Sequence, residues 1–216
     1  MTSFNPLYFM FGMAILGLAP FMLMMTTSYV KIIVVTSLIR NALGVQQIPP
    51  AMVMNGLAMV LTIFIMAPTV KQTIDIVSGL KIQEDPAITE ILSLADKSSG
   101  PFKSFLIKNT DRQILNSFMS TAKKIWPSQE QHTISRDNFL ILIPSFTITE
   151  LTKAFQIGFL LYLPFIAIDL VISNILLAMG MMMVSPMTIS LPFKLLLFVT
   201  LDGWLKISQG LLLSYQ

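Results

Sequence analysis

Two aspartates stand inside otherwise apolar stretches, Asp169 in Ile168-Asp169-Leu170 and Asp202 in Leu201-Asp202-Gly203-Trp204. An unpaired carboxylate at the centre of a bilayer costs about 3 kcal/mol or more, so each must be neutral, paired or wet. A membrane aspartyl protease dyad would carry Tyr before the first and Gly-x-Gly before the second, and neither is present. A small proton-coupled transporter could use Asp169, although two aspartates on four helices offer little for a substrate site at the midplane. The simplest reading is structural, with Asp169 and Asp202 in inter-helix or inter-subunit pairs with Lys31, Arg40 or Lys194.

A second polar group lies between apolar stretches. Arg40-Asn41 is followed by Gln46-Gln47-Ile48-Pro49-Pro50, and lipid could satisfy none of these polar groups. Asn41, Gln46, Gln47, Pro49 and Pro50 therefore mark an interface turn, a pore-lining turn, or an ordinary hairpin connection in water. A third feature is Ala178 to Met187, which holds five of the sixteen methionines, including Met181, Met182 and Met183, after Gly180 or before Pro186. Glycine and proline so placed predict a turn. Methionine is unbranched and polarizable, so such side chains from several subunits could seal an opening, or they could simply fill gaps in a core.

Much other chemistry is excluded. There is no Cys and one His, His132, which leaves a single chain without thiolate zinc sites, disulfides, Cys nucleophiles or multi-His metal centres. No Gly-Lys-Ser/Thr occurs, so a Walker nucleotide site is missing. The formal charge of +3 is too small for a nucleic-acid binder. The expectation is no catalytic residue, no metal and no cofactor.

These features must be positioned by helices in or near a membrane. Hydrophobic residues make up 54% of the 216, charged residues 12%, and the mean hydropathy is +0.75, against roughly 25% charged in a soluble domain. Only Lys31, Arg40, Asp169, Lys194, Asp202 and Lys206 are charged outside residues 71–153. The chain divides into an apolar hairpin over 1–70, a hydrophilic insert over 71–153 and a second hairpin over 154–216. Candidate spans are Pro6 to Val30, Ala51 to Val70, Phe155 to Met179 and Pro192 to Leu213, each close to the length a bilayer core requires.

Lys31 and Arg40, counted as a positive-inside bias, place the first connection in the cytoplasm and the insert outside. Alternatively Pro20 to Gly44 is one continuous helix with both cations facing a partner. The first thirty residues lack the basic start of a secretory signal, so the N-terminus is expected to be retained. In the insert, Asp85-Pro86 and Asp111 look like helix starts, and Trp126-Pro127 a stop. Phe139 to Ile143 is ambiguous between helix and strand. Thr147-Ile148-Thr149-Glu150 has the capping-box pattern and predicts that an amphipathic helix begins there. Pro20, Pro49, Pro50, Pro68, Pro164, Pro186 and Pro192 interrupt the apolar stretches, and the carbonyls they free predict burial in an obligate oligomer. The expected fold is all-α and membrane-associated, with two hydrophobic helical hairpins flanking a small helical soluble insert.

At these residues the chain resembles the FliP/SctR family of type III secretion export-gate proteins. Four blocks carry the resemblance: Thr27-Ser28 and Lys31 through Leu38-Ile39-Arg40-Asn41-Ala42-Leu43-Gly44 to Pro50; Pro144-Ser145-Phe146 to Gly158; Tyr162-Leu163-Pro164-Phe165 to Asp169; and Met179 to Trp204. Ser145 departs from the family's more frequent Ala. Val45, Ile48 and Ser185 resemble the virulence (injectisome SctR) branch rather than the flagellar one. The resemblance implies a bacterial inner-membrane, multi-pass subunit with a periplasmic insert. It implies five copies assembled with SctS/FliQ-like and SctT/FliR-like subunits near SctU and SctV, with the hairpins held largely above the bilayer. It also implies a channel for unfolded secreted proteins in which Met181, Met182 and Met183 form the gasket, which outweighs the gap-filler reading. Membrane lipid is a further expected neighbour, and nucleic acid is not.

Overall fold

A computed structural model describes residues 6–45, 48–79 and 96–216, and the helix expected after Asp85-Pro86 lies outside them, as do Gln46 and Gln47. The described residues contain helices and turns and no strand. In chain order the α-helices are α1 (Pro6–Thr26), α2 (Tyr29–Ala42), α3 (Ala51–Gly79), α4 (Gly100–Asn109), α5 (Arg112–Ile125), α6 (Phe139–Ala178), α7 (Pro186–Thr200) and α8 (Gly203–Leu213).

The helix ends follow local chemistry. Asp111 caps α5 by accepting from the backbone N–H groups of Gln113 and Ile114 at 2.7 and 3.2 Å, two of the donors an N-terminus leaves unpaired. The helix stops before Trp126-Pro127 as expected. The predicted start at Thr147 is corrected: α6 begins at Phe139, where Asn138 accepts from Leu140 N–H at 2.9 Å. Thr147 and Thr149 do not cap. Their hydroxyls donate back to the carbonyls of Ile143 and Ser145, at 2.9 and 2.7 Å. Phe139 to Ile143 is helical because Ile141, Leu142 and Phe146 pack against Leu106 of α4 and Leu115 and Ala122 of α5.

Among the described residues two helices are long and apolar enough to cross a membrane, α3 with 29 residues and α6 with 40. At 1.5 Å per residue α6 is about 60 Å long, twice the roughly 30 Å of a bilayer core. One end of it belongs to the insert's core and the other to the apolar hairpin. The boundaries drawn at 70/71 and 153/154 both fall inside these continuous helices. Of the other two expected spans, Pro192 to Leu213 is bent within its length and Pro6 to Val30 at its end. Pro20–Thr26 meets α2 at 79°, and α7 meets α8 at 58°. The continuous helix considered for Pro20 to Gly44 is thereby corrected: it breaks at Thr27-Ser28, where the Thr26 and Thr27 hydroxyls donate to the carbonyls of Met22 and Leu23. Side-chain bonds of this kind bend helices. The reading of prolines as interruptions is corrected for Pro20, Pro68, Pro164 and Pro192, through which α1, α3, α6 and α7 continue, and holds for Pro49 and Pro50 between α2 and α3 and for Pro186 at the start of α7.

The second core centres on α2. Its Ile32, Val35, Ile39 and Ala42 are buried against Ala58 of α3, Ala154 and Phe165 of α6, Phe198 of α7 and Leu211 of α8. Close approach of α2 and α6 depends on Gly158, where an added Cβ would lie 2.3 Å from Leu38 Cδ1.

Candidate functional site

The methionine segment forms the apex of the hairpin between α6 and α7. Its entry is a helix stop of the glycine type, with Gly180 at φ +74°, a conformation that costs residues with a Cβ about 1–2 kcal/mol. Gly180 N–H donates to Leu177 C=O at 3.0 Å and Met181 N–H to Leu176 C=O at 2.9 Å, the paired bonds of a Schellman motif. At the exit Ser185 is extended and Pro186 opens α7, the position where a missing N–H is harmless. Between these ends Met182 and Met183 are 81% and 100% exposed. These two side chains therefore fill no gap within the chain.

A partly buried clasp holds the hairpin below that apex, with Lys194 buried and Asp169 half-exposed. Lys194 Nζ is 2.6 Å from Asp169 Oδ2, Ser190 Oγ donates to Asp169 Oδ1 at 2.6 Å, and Lys194 also donates to Ala42 C=O at 3.1 Å. That carbonyl belongs to the last residue of α2, where the helix dipole favours a cation. One lysine thus joins α2, α6 and α7. Charge-assisted bonds of this length are the strong class, and both carboxylate oxygens of Asp169 are engaged.

A second buried group lies where the two cores meet. Lys31 of α2 is 1% exposed, Glu150 of α6 is 0% exposed, and Nζ lies 3.4 Å from Oε2. The Tyr215 hydroxyl donates to the same carboxylate, while its ring lies 3.5 Å below the Lys31 ammonium and stacks on Phe105. Burial first, and then the charge of Glu150, pushes the Tyr215 phenol well above its ordinary range, so it stays protonated and donates. Nearby, Asp111 N–H donates to Thr149 Oγ1 at 3.1 Å, and Lys153 Nζ donates to Asn109 C=O at 2.9 Å. These bonds fasten the insert to α6.

The remaining charges are placed differently. Arg40 buries Nε without a hydrogen-bond partner among the described residues. Asp202 is exposed in the left-handed turn between α7 and α8, φ 51°. None of the ion pairs among the described residues includes either. Asn41 and Pro50 are exposed and Pro49 is half-buried; the Pro50 carbonyl accepts from Val53 and Met54 N–H at the start of α3.

Sequence reasoning missed Glu150, Ser190 and Tyr215. Glu150 was read as a capping glutamate and counted with the insert. The signal was its register: Phe146, Glu150, Ala154 and Gly158 fall four apart on the face of α6 that is buried or closely packed.

The FliP family profile matches residues 12–211. The chain belongs to the FliP family. It is 52% identical to Yop proteins translocation protein R of Yersinia pestis over 206 residues, covering 94% of this chain and 93% of that one. Virulence protein YscR of Salmonella typhimurium is 48% identical, covering 93% of this chain and 92% of its own length. Hypersensitivity response secretion protein HrcR of Ralstonia nicotianae is 46% identical, with 93% of each covered. These FliP-family relatives are named for translocation, virulence and secretion. Lys31, Glu150, Asp169, Ser190 and Lys194 lie within the matched residues, and Tyr215 lies beyond them.

Proposed function

We propose that this chain is a subunit of the export gate of a bacterial type III secretion system, residing in the inner membrane with its insert on the periplasmic side. Several copies, five by family resemblance, surround a channel together with SctS-, SctT-, SctU- and SctV-like partners. Unfolded secreted proteins pass through it. The subunit performs no covalent chemistry, and the driving energy comes from partners.

One observation carries this reading: Met182 and Met183 are displayed to the outside on a hairpin whose base is held by an ion pair between buried Lys194 and half-buried Asp169. Exposed methionines cost apolar burial in a lone chain, about 1.5–3 kcal/mol each when left in water rather than buried. Copies meeting around an axis would bury them against one another, and their flexible thioethers could close on an empty channel and yield to a passing polypeptide. Asp169 suits a structural role better than proton transport, because Lys194 and Ser190 already occupy its oxygens.

Replacing Met181, Met182 and Met183 together by Ala tests this. Cells carrying the assembled mutant complex are expected to leak small solutes while complex assembly persists. Unchanged permeability in a fully assembled mutant would refute the gasket.

A further inference from the structure

The hydrogen bonds that hold the α1–α2 bend have alternatives close by. The chain turns by 79° at Thr27-Ser28 with neither proline nor glycine to fix the angle. Ser28 itself keeps helix-like torsions, φ −65° and ψ −5°, within about 40° of the helical average in ψ. Thr26 and Thr27 each donate to the carbonyl one helical turn back. Ser28 does not: it is fully buried, and its Oγ has no hydrogen-bond partner among the described residues. A buried hydroxyl in that position has lost water and gained nothing for it. In a helical turn the Met24 carbonyl would stand to Ser28 as those of Met22 and Leu23 stand to Thr26 and Thr27, so a wider bend gives Ser28 an acceptor.

A catch on α6 opposes this. Thr147 Oγ1 lies 3.0 Å from Met25 C=O and 2.9 Å from Ile143 C=O. A hydroxyl carries one proton, so the two carbonyls compete for it, and Thr147 can release Met25 while keeping a hydrogen bond to Ile143. The released Met25 carbonyl is the helical acceptor for the Tyr29 N–H, four residues on. In the bent form that N–H reaches only Thr27 Oγ1, at 3.4 Å, beyond the usual range of about 2.7–3.2 Å. Each group that the bend pairs poorly therefore has a partner when the bend opens.

The part free to move is α1. Beyond the bend α2 is anchored to α6 through Lys31 and Glu150 and through Leu38 against Gly158. On α1, Phe21, Leu23, Met24 and Met25 are exposed, and an apolar groove separates Leu23 and Met24 from Met59 and Ile63 of α3. We propose that Thr27-Ser28 is a hinge on which α1 swings away from α6, with the Thr147 hydroxyl as its catch. The hinge requires neither the methionine seal nor a channel.

The chain has no cysteine, so Phe21→Cys with Asn41→Cys puts one spin label on each side of the bend, both at exposed positions. With the 79° bend and 1.5 Å per residue, these backbone sites are about 24 Å apart in the bent form and about 30 Å apart at full opening. Pulsed dipolar spectroscopy of the full chain in detergent is expected to show both distances, the longer as the minor one. Thr147→Val keeps the shape and removes the catch, so it should raise the ratio of long to short about fivefold, the equilibrium effect of one ordinary hydrogen bond. Ser28→Ala removes the unpaired hydroxyl and should lower that ratio by a similar factor. A second label pair at Asn41 and Leu140, which spans only α2 and α6, should read the same distance in every variant. A single short distance in all three chains, shifts of the same sign in the two variants, or a changed α2–α6 distance would overturn the proposal.

Discussion

Lys31, Glu150 and Tyr215 form a buried trio whose members depend on one another. Removing one side of such a pair leaves an uncompensated charge away from water, at a cost of about 3–5 kcal/mol. Lys31→Ala and Glu150→Ala are each expected to lower the thermal unfolding midpoint of the detergent-purified chain sharply. Tyr215→Phe keeps the ring on the ammonium and loses only the hydroxyl, so it should cost less, about 1.5–3 kcal/mol. A Tyr215→Phe effect equal to that of Glu150→Ala would contradict the division of roles. The pair could not be read from sequence because its partners are 119 positions apart and no local rule links them. Charge counting within apolar stretches found Lys31, and the capping pattern drew attention away from Glu150. Asp169 and Lys194 were both legible as intramembrane charges needing partners. Which partner each takes was not, since that depends on how α7 folds back on α6.

At the scale of the element, glycine does the decisive work at two places. Gly158 lets α2 lie against α6, with Leu38 in the space a side chain would occupy. Gly158→Val is expected to destabilise by about 1–3 kcal/mol through overpacking. Leu38→Ala combined with it should restore part of the loss, and strict additivity of the two changes would argue against direct contact. Gly180 holds the left-handed stop before Met181, so Gly180→Ala should cost about 1–2 kcal/mol and impair secretion more than a stability loss of that size predicts, because it re-aims the methionines. Secretion rates normalised to assembled complex would check this. Elements bounded by local chemistry were readable from sequence: the Asp111 cap, the stop at Trp126-Pro127 and the turn after Gly180. The long helices were readable in kind and not in extent. Thr149 and Glu150 could serve a cap or a helix interior, and packing of Phe146 and Leu142 against the insert decided for the interior. The bend at Thr27-Ser28 had no proline or glycine to announce it.

At the scale of the whole molecule, the subunit shows far more apolar surface than a lone soluble chain tolerates. Phe155, Phe159, Leu160 and Leu163 line the outer side of α6, and Met52, Ile63 and Phe64 that of α3. Only 11% of the most apolar window of α6 is buried within the chain. Lipid, partner copies or both must cover these faces. Composition and patterning made the membrane class and the all-helical fold evident, whereas the bent member of each hairpin, the first in one and the second in the other, required the tertiary structure. The two charge clusters, the buried one at the insert and the partly buried one at the methionine hairpin, are joined through α2, which contributes Lys31 to the first and the Ala42 carbonyl to the second.

The central claim is that the methionine hairpins of several copies meet around a channel. Because the chain has no cysteine, Met182→Cys introduces a single thiol at the apex, and thiol cross-linking of the assembled complex with a substrate stalled in transit reads its neighbours directly. The expected result is a cross-linked pair of copies without substrate, since one thiol per copy joins one partner, and cross-links to a cysteine-bearing substrate when it is present. A thiol that joins neither another copy nor the substrate in a complete complex would contradict the account.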